Sequence, residues 1–231
     1  MTDTVPTRSV DVTTEIAAPA DAVWAALTQA DLLARWFSPT AERDGDKVRL
    51  AWGPDMVMEE RFVEVEKGRH LRWADTPDAP IIVDWHLETK GGHTVVRLVQ
   101  SGLSASAEWD DAYDSFETGW RYFLFNLRHY LTRHRGTPRD MAWIRRPTEL
   151  ARPVLWERVM SAVKKVTPRA IIAELKPSRG VWATIPELND ATLFLELEGK
   201  TLGVYLSTYG LPADKVRELQ PLIDSLSLVA T

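Results

Sequence analysis

Asp84, His86 and Glu88 alternate along the chain, so in an extended backbone all three side chains project from one side. An acid, a base and a second acid in a row suit proton transfer or one half of a metal site. No neighbouring segment supplies further ligands, and the interleaved Val83, Trp85 and Leu87 are the set that belongs in an interior, which leaves the polar side for solvent. Glu59, Glu60 and Arg61 form a second group: one of these charges, placed inside a cavity, would orient the polar end of a ligand, and otherwise all three face water. His129 and His134 are five apart, the wrong step for neighbours on one helical face, and His70 and His93 flank turns, so no histidine reads as a metal ligand. The chain has no cysteine, which removes thiolate nucleophiles, cysteine-held zinc and disulfides together. It also contains no glycine-rich phosphate loop before a helix, no HExxH and no GxSxG, and Ser101 and Ser207 lack a local base. The expectation is no catalytic residue, no metal and no cofactor.

Binding chemistry is better represented. Ten of the 231 residues are tryptophan, eight of them before residue 149. Each indole brings a large apolar area and one N–H that needs an acceptor. Trp52, Trp73, Trp85, Phe116, Trp120 and Phe123, with the adaptable Met56 and Met58, are the residues that would line a ligand cavity. Packed on one another instead, the same residues would fill a solid core, and periodicity leaves both readings open.

Composition narrows the classes further. Charged residues at 26% and hydrophobic residues at 45% describe a folded chain with a substantial core. No stretch approaches the roughly 20 apolar residues of a membrane-spanning helix, and Met1 to Asp11 carry charges where a secretory signal would be apolar. The expected location is therefore the cytoplasm, which the lack of cysteine also fits. Residues 128–146 hold six arginines opposed only by Asp140, yet the net charge is −5 and stacking aromatics are not interleaved. Those arginines read as a solvated helix end and linker, so neither nucleic acid nor membrane is expected as a partner.

The elements that must position these residues follow from period and punctuation. Val10 to Ala17 alternates as a strand, Pro19-Ala20-Asp21 opens a helix carrying Val23, Trp24 and Leu27 on one side, and Leu32 to Phe37 forms a short second helix ended by Pro39. Lys47 to Trp52, Val57 to Glu66, the strand of Leu71 and Trp73, Ile81 to Glu88, and Thr94 to Gln100 are joined by turn signals such as Gly53-Pro54-Asp55 and Gly91-Gly92. From about Ser106 to His134 an aromatic stripe (Trp109, Tyr113, Phe116, Trp120, Phe123, Leu127, Tyr130) marks one long helix, with Leu124 and Phe125 beside it as contact points for a second unit or a second copy of the chain.

Four phrases in this order, ADAVWAALTQADLLARWFSP (20–39), VEVEKGRHLRW (63–73), VQSGL (99–103) and GWRYFLFNLRHYL (119–131), resemble the START-like SRPBCC superfamily. Within it they resemble the branch homologous to the activator of the heat-shock protein 90 ATPase (an AHSA-type domain), over residues 8–140. The resemblance implies an α+β helix-grip fold: a curved antiparallel sheet wrapped on a long C-terminal helix, often with an apolar cavity between them. Superfamily relatives include carriers, cyclases and cochaperone domains, so fold alone does not assign function.

Residues 149–231 read as a shortened, degenerate second copy of the same unit, packed on the first; the alternative is an independent α+β appendage that merely resembles it. Val23, Trp24 and Leu27 match Leu155, Trp156 and Val159 at an offset of 132; Val63, Lys67 and Trp73 match Ile172, Lys176 and Trp182 at 109; Trp85, Leu87, Gly91, Val96, Gly102 and Leu103 match Leu193, Leu195, Gly199, Val204, Gly210 and Leu211 at 108. The drop in offset removes the short second helix and the first hairpin strands. Trp24 and Trp156, and likewise Trp73 and Trp182, are expected at equivalent structural places, whereas Trp52 and Trp120 are special to the first copy. The functional expectation is binding of an apolar or amphipathic small molecule between sheet and long helix. The alternatives are a protein-interaction module, with a cochaperone-type partner or a homodimer, and cyclase-like or hydrolytic chemistry on a carboxylate in the cavity.

Overall fold

Alternation in the first segment drives β1 (Thr7–Ile16), which buries Val10, Val12 and Ile16 and turns Asp11, Thr13 and Glu15 outward. The computed structural model describes residues 6–54, 56–76 and 79–231, the side chains of 64 and 65 excepted. Pro19 leads into α1 (Ala20–Thr28), and one extended residue, Gln29, separates it from α2 (Ala30–Leu33). Trp36 then folds back so that its Nε1 donates to the Ala26 carbonyl at 2.9 Å, which locks the chain after α2 against α1.

A meander follows: β2 (Thr40–Asp44), β3 (Lys47–Gly53), β4 (Met56–Glu66), β5 (His70–Ala74), β6 (Ile82–Lys90) and β7 (His93–Ser104). The strands form a seven-stranded antiparallel sheet in the order β1-β7-β6-β5-β4-β3-β2. Strand β2 is absent from the period-based reading because its side chains are mostly exposed on both faces, leaving no alternation to detect. Its only announcement is the Asp44-Gly45 turn that pairs it with β3. Gly102 in β7 is held at φ +86°, and a Cβ there would come within 1.7 Å of the Pro80 carbonyl oxygen, so the loop before β6 crosses β7 only over glycine.

The long helix is α3 (Asp110–Arg133), preceded by a single 3₁₀ turn at Ala107–Trp109. Asp110 and Asp111 sit in its first turn and Arg133 in its last, in line with the helix dipole. Its start is tied to β1 by an Arg8–Asp110 ion pair of 2.7 Å and by Tyr113, whose hydroxyl donates to the Ser9 carbonyl at 3.1 Å. The fold of this first unit, which ends at Gly136, is the expected sheet and grip helix.

The second unit spans Thr137–Thr231 and begins earlier than the sequence suggested. Residues read as linker form a strand, β8 (Arg139–Pro147), whose half-buried arginines mask its period. Then come α4 (Arg152–Val166), β9 (Ile171–Lys176), β10 (Gly180–Ile185), β11 (Ala191–Glu198), β12 (Thr201–Tyr209), α5 (Ala213–Arg217) and α6 (Leu219–Ser227). The sheet order β8-β12-β11-β10-β9 is the order of β1-β7-β6-β5-β4, without counterparts of β3 and β2. The last hairpin keeps its register: Trp85 lies opposite Leu98, and Leu193 and Leu206, both 108 residues later, also lie opposite each other.

One expected equivalence fails. Trp73 pairs with Val83 on the inner face of its sheet, whereas Trp182 pairs with Phe194, on the face opposite Val181 and Ile185. An offset of 109 is wrong by one residue in β10, and a one-residue slip in a strand exchanges the two faces. Trp24 and Trp156 do fall on corresponding helices, α1 and α4.

Candidate functional site

Cross-strand pairing defines one continuous inner face of the first sheet. Leu50 pairs with Met58, Val48 with Glu60, Phe62 with Trp73, Trp73 with Val83 and Val83 with Gln100, so these side chains share a side. Against that side lies the stripe of α3 and the turn after α2. Phe37 is the hub: its ring is 4.2 Å from that of Phe123, 5.6 Å from Trp52, 5.7 Å from Trp73 and 6.0 Å from Trp120, centroid to centroid. Trp85 stands edge-on to Trp120 at 5.7 Å and tilts against Trp73 at 5.4 Å. Such offset and edge-to-face contacts are the favoured arrangements for aromatic rings.

The polar handles of these indoles are treated unequally. Trp120 donates its Nε1 hydrogen to Gln100 Oε1 at 2.6 Å. Trp73 and Trp85, only 2% and 0% exposed, bury their Nε1 hydrogens with no acceptor among the described residues. A buried donor left unsatisfied costs about 1–3 kcal/mol, which an incoming acceptor would recover.

Towards β4 the face opens. Met58 is 39% exposed and Met56 and Phe123 are half-buried, so a thioether and ring lip borders the packed cluster. Glu60 stands on this same inner face, half-buried, and makes no hydrogen bond or ion pair with the described residues. Burial, reinforced by the nearby Asp75, pushes its carboxyl up to about 7. Near neutral pH this group either donates or accepts a proton, and it is the one member of Glu59, Glu60 and Arg61 turned inward. Arg61 faces the other way and pairs with Asp46 at 3.1 Å.

Of the eight residues expected to line a cavity, Trp52, Trp73, Trp85 and Trp120 are buried together in the cluster, and Met56, Met58 and Phe123 form its lip. Phe116 lies one to two turns before them on α3 and is 37% exposed. Three members went unremarked in the sequence. Phe37 hides in the last turn before Pro39, and Phe62 was one residue of a strand read for its charges. Gln100 had a legible signal: it is the polar residue that continues the buried alternation of Val96 and Leu98.

The outer face corrects another expectation. Asp84 is buried, not solvated: Arg72 donates to both its oxygens at 2.8 and 3.1 Å, and His70 Nε2 lies 2.7 Å from Oδ1. Burial acts to raise its pKa, but the hydrogen bonds from Arg72 and His70 prevail and hold the carboxyl below its ordinary range. His86 stacks on His70 at 4.6 Å, and burial and that neighbour hold it below the usual imidazole range. Of the triplet, Asp84 is therefore a structural brace, while His86 and Glu88 are exposed as expected. His129 and His134 bring their rings to 5.1 Å, because His134 lies beyond the end of α3 and helical spacing does not govern it.

In the second unit, Arg145 donates to the Tyr205 hydroxyl at 2.9 Å and to Glu198, and lies 3.8 Å from Glu196. Burial and the charge of Glu198, partly opposed by Arg145, push Glu196 up to about 7.

The sequence of residues 17–132 matches the family model described as Activator of Hsp90 ATPase homolog 1-like protein. No curated protein sequence matches the chain. Among solved structures it is similar to the Aha1 dimer from Colwellia psychrerythraea (18% identity, 56% of this chain and 99% of that one, TM-score 0.49). It is similar to MLL2253 from Mesorhizobium loti (24%, 55% and 98%, TM-score 0.46). It is also similar to DynU16, a protein of the dynemicin biosynthetic locus (20%, 96% and 95%, TM-score 0.46).

Proposed function

The chain belongs to the family of Activator of Hsp90 ATPase homolog 1-like proteins, and from that premise we propose that its first unit binds an apolar or amphipathic small molecule between the sheet and α3. The observation that carries this reading is the pair of acceptorless indole N–H groups, Trp73 and Trp85, inside an aromatic cluster whose border is exposed at Met58. A ligand with an apolar body and an acceptor atom uses both the ring surfaces and the donors.

Native mass spectrometry of the purified protein tests the reading. The expected result is a co-purifying or added apolar molecule that survives transfer and is lost in Trp120→Ala, with circular dichroism showing that the variant is folded. A clean apo protein that responds to no apolar probe would reject it.

A second reading, a protein partner or a second copy of the chain docked on the first unit, is favoured by the exposure of Val57, Met58 and Val63, each at 38–39%, on both faces of β4. In that case Val57→Ser and Val63→Ser would weaken the association while leaving small-molecule binding intact. The proposed location is the cytoplasm, where a cysteine-free chain is suited to the reducing conditions.

A further inference from the structure

Resting on the ligand reading above, the geometry points to a chemical class: we propose that the first unit recognises an apolar, ring-bearing amine, its protonated nitrogen against Glu60 and an acceptor atom against the indole N–H groups of Trp73 and Trp85.

Three carboxyls of the first unit are held by cationic side chains. Asp84 is clasped by Arg72 and His70, Asp11 is bonded to Arg97 at 2.6 Å, and Asp46 accepts from Arg61 at 3.1 Å. Glu60 faces inward, half-buried, with no partner among the described residues, whereas Glu59 and Glu88, likewise unpaired, are exposed to solvent. Its cross-strand neighbour Val48 is buried, and Met58 and Phe62 precede and follow it on the same side. An acid in such surroundings is costly to ionise unless a cation is brought to it, and no Arg, Lys or His among the described residues pairs with it.

The remaining polar groups set the polarity of the guest. The Trp73 and Trp85 donors require an acceptor, and Trp73 pairs with Phe62, two residues beyond Glu60 on the shared face. A wholly apolar guest would leave all three groups unsatisfied. An anionic head would be repelled by Glu60 as it ionises. A protonated amine satisfies the carboxylate, and aromatic faces around it add cation–π attraction.

Isothermal titration calorimetry with three matched probes tests the inference: a methoxynaphthalene bearing an aminoethyl, a hydroxyethyl or a carboxymethyl chain. The expected result at about pH 8 is that the amine binds about tenfold or more tightly than the alcohol, as a charged hydrogen bond would give, and that the acid binds most weakly. At about pH 6 the amine's advantage shrinks, because Glu60 has taken up its proton while the amine remains charged. Glu60→Gln brings the amine-to-alcohol ratio to within about twofold at both pH values, whereas the outward-facing Glu59→Gln keeps it. If amine and alcohol bind equally to the wild-type protein, or if Glu60→Gln keeps the preference, the amine assignment fails while the pocket stands. If none of the probes binds, the pocket reading itself fails, and the assignment with it.

Discussion

The two units share a strand order and a hairpin register, yet the inner faces of their sheets differ in kind. In the first, Trp52, Trp73, Trp85, Trp120, Phe37 and Phe123 meet, with two donors and one carboxyl that have no partner among the described residues. In the second, the buried members of the core are all aliphatic, from Leu155, Val159 and Val163 of α4 to Leu219, Ile223 and Leu226 of α6. Trp85 and Leu193 occupy the same place in the hairpin, so the difference lies in side chains and not in backbone. Aliphatic side chains interlock with few polar demands and make a core that is only a core. Rings with N–H groups need partners, and where the protein supplies none the face is suited to a guest.

The outer faces are inverted in the same way. The first sheet turns His70, Arg72, Asp84 and His86 outward. The second turns out a row of rings, Trp143 on Tyr205 at 6.3 Å, Tyr205 on Phe194 at 5.7 Å and Phe194 on Trp182 at 5.8 Å. This explains why Trp182 resembles Trp73 in sequence without sharing its role.

Three tests, using four substitutions, would break or sharpen this contrast. The largest effect is expected from Leu193→Ala, which opens a cavity in the aliphatic core and lowers stability in urea unfolding by about 2–5 kcal/mol. Probe binding by the first unit should not change with it. A loss well under about 1 kcal/mol would mean that the second core is not solidly packed.

Next is Gly203→Ala. A Cβ at Gly203 would lie 2.7 Å from Tyr205 Cε2, so the Tyr205 ring must leave the strand and its bond from Arg145, at a cost of about 1–3 kcal/mol. The corresponding first-unit residue is Val95, and the counterpart of Tyr205 is Arg97 and not a ring, so Val95→Ala should cost less. Equal losses would show that the outer row of rings has no structural role.

The smallest effect is the pH-dependent one. Glu60 has a folded-state pKa raised from 4.5 to about 7, so the folded form holds the extra proton and stability falls as pH rises between those values. Above about 7 the ionised group is a standing penalty. Discounted for residual solvent contact, Glu60→Gln should gain about 1–2 kcal/mol at pH 8 and almost nothing at pH 4, read as melting temperature at each pH. A gain that is the same at both would mean that Glu60 is fully solvated.

Much of this arrangement was legible in the chain. The aromatic stripe of α3, the alternation of β6 and the turn glycines announced the helix and most of the sheet, because period-2 and period-3.6 burial write themselves into residue order. Strands β2 and β8 were not announced: one is exposed on both faces and the other is half-buried throughout, so neither shows a clean alternation. The aromatic residues of the candidate site were picked out by type and spacing, but Phe37 was not, since its place at the hub follows from where the turn after α2 returns.

Residue order alone determined that this chain has no thiol chemistry and that a long aromatic helix closes a meander. Those features depend on composition and on local period. Only the tertiary structure decided which face each strand turns inward, and with it that Glu60 points to the aromatic side, that Asp84 is clasped and that Trp182 is not a second Trp73. Facing depends on register and bulges set by partner strands, and a one-residue slip in pairing exchanges interior for exterior without any change in sequence.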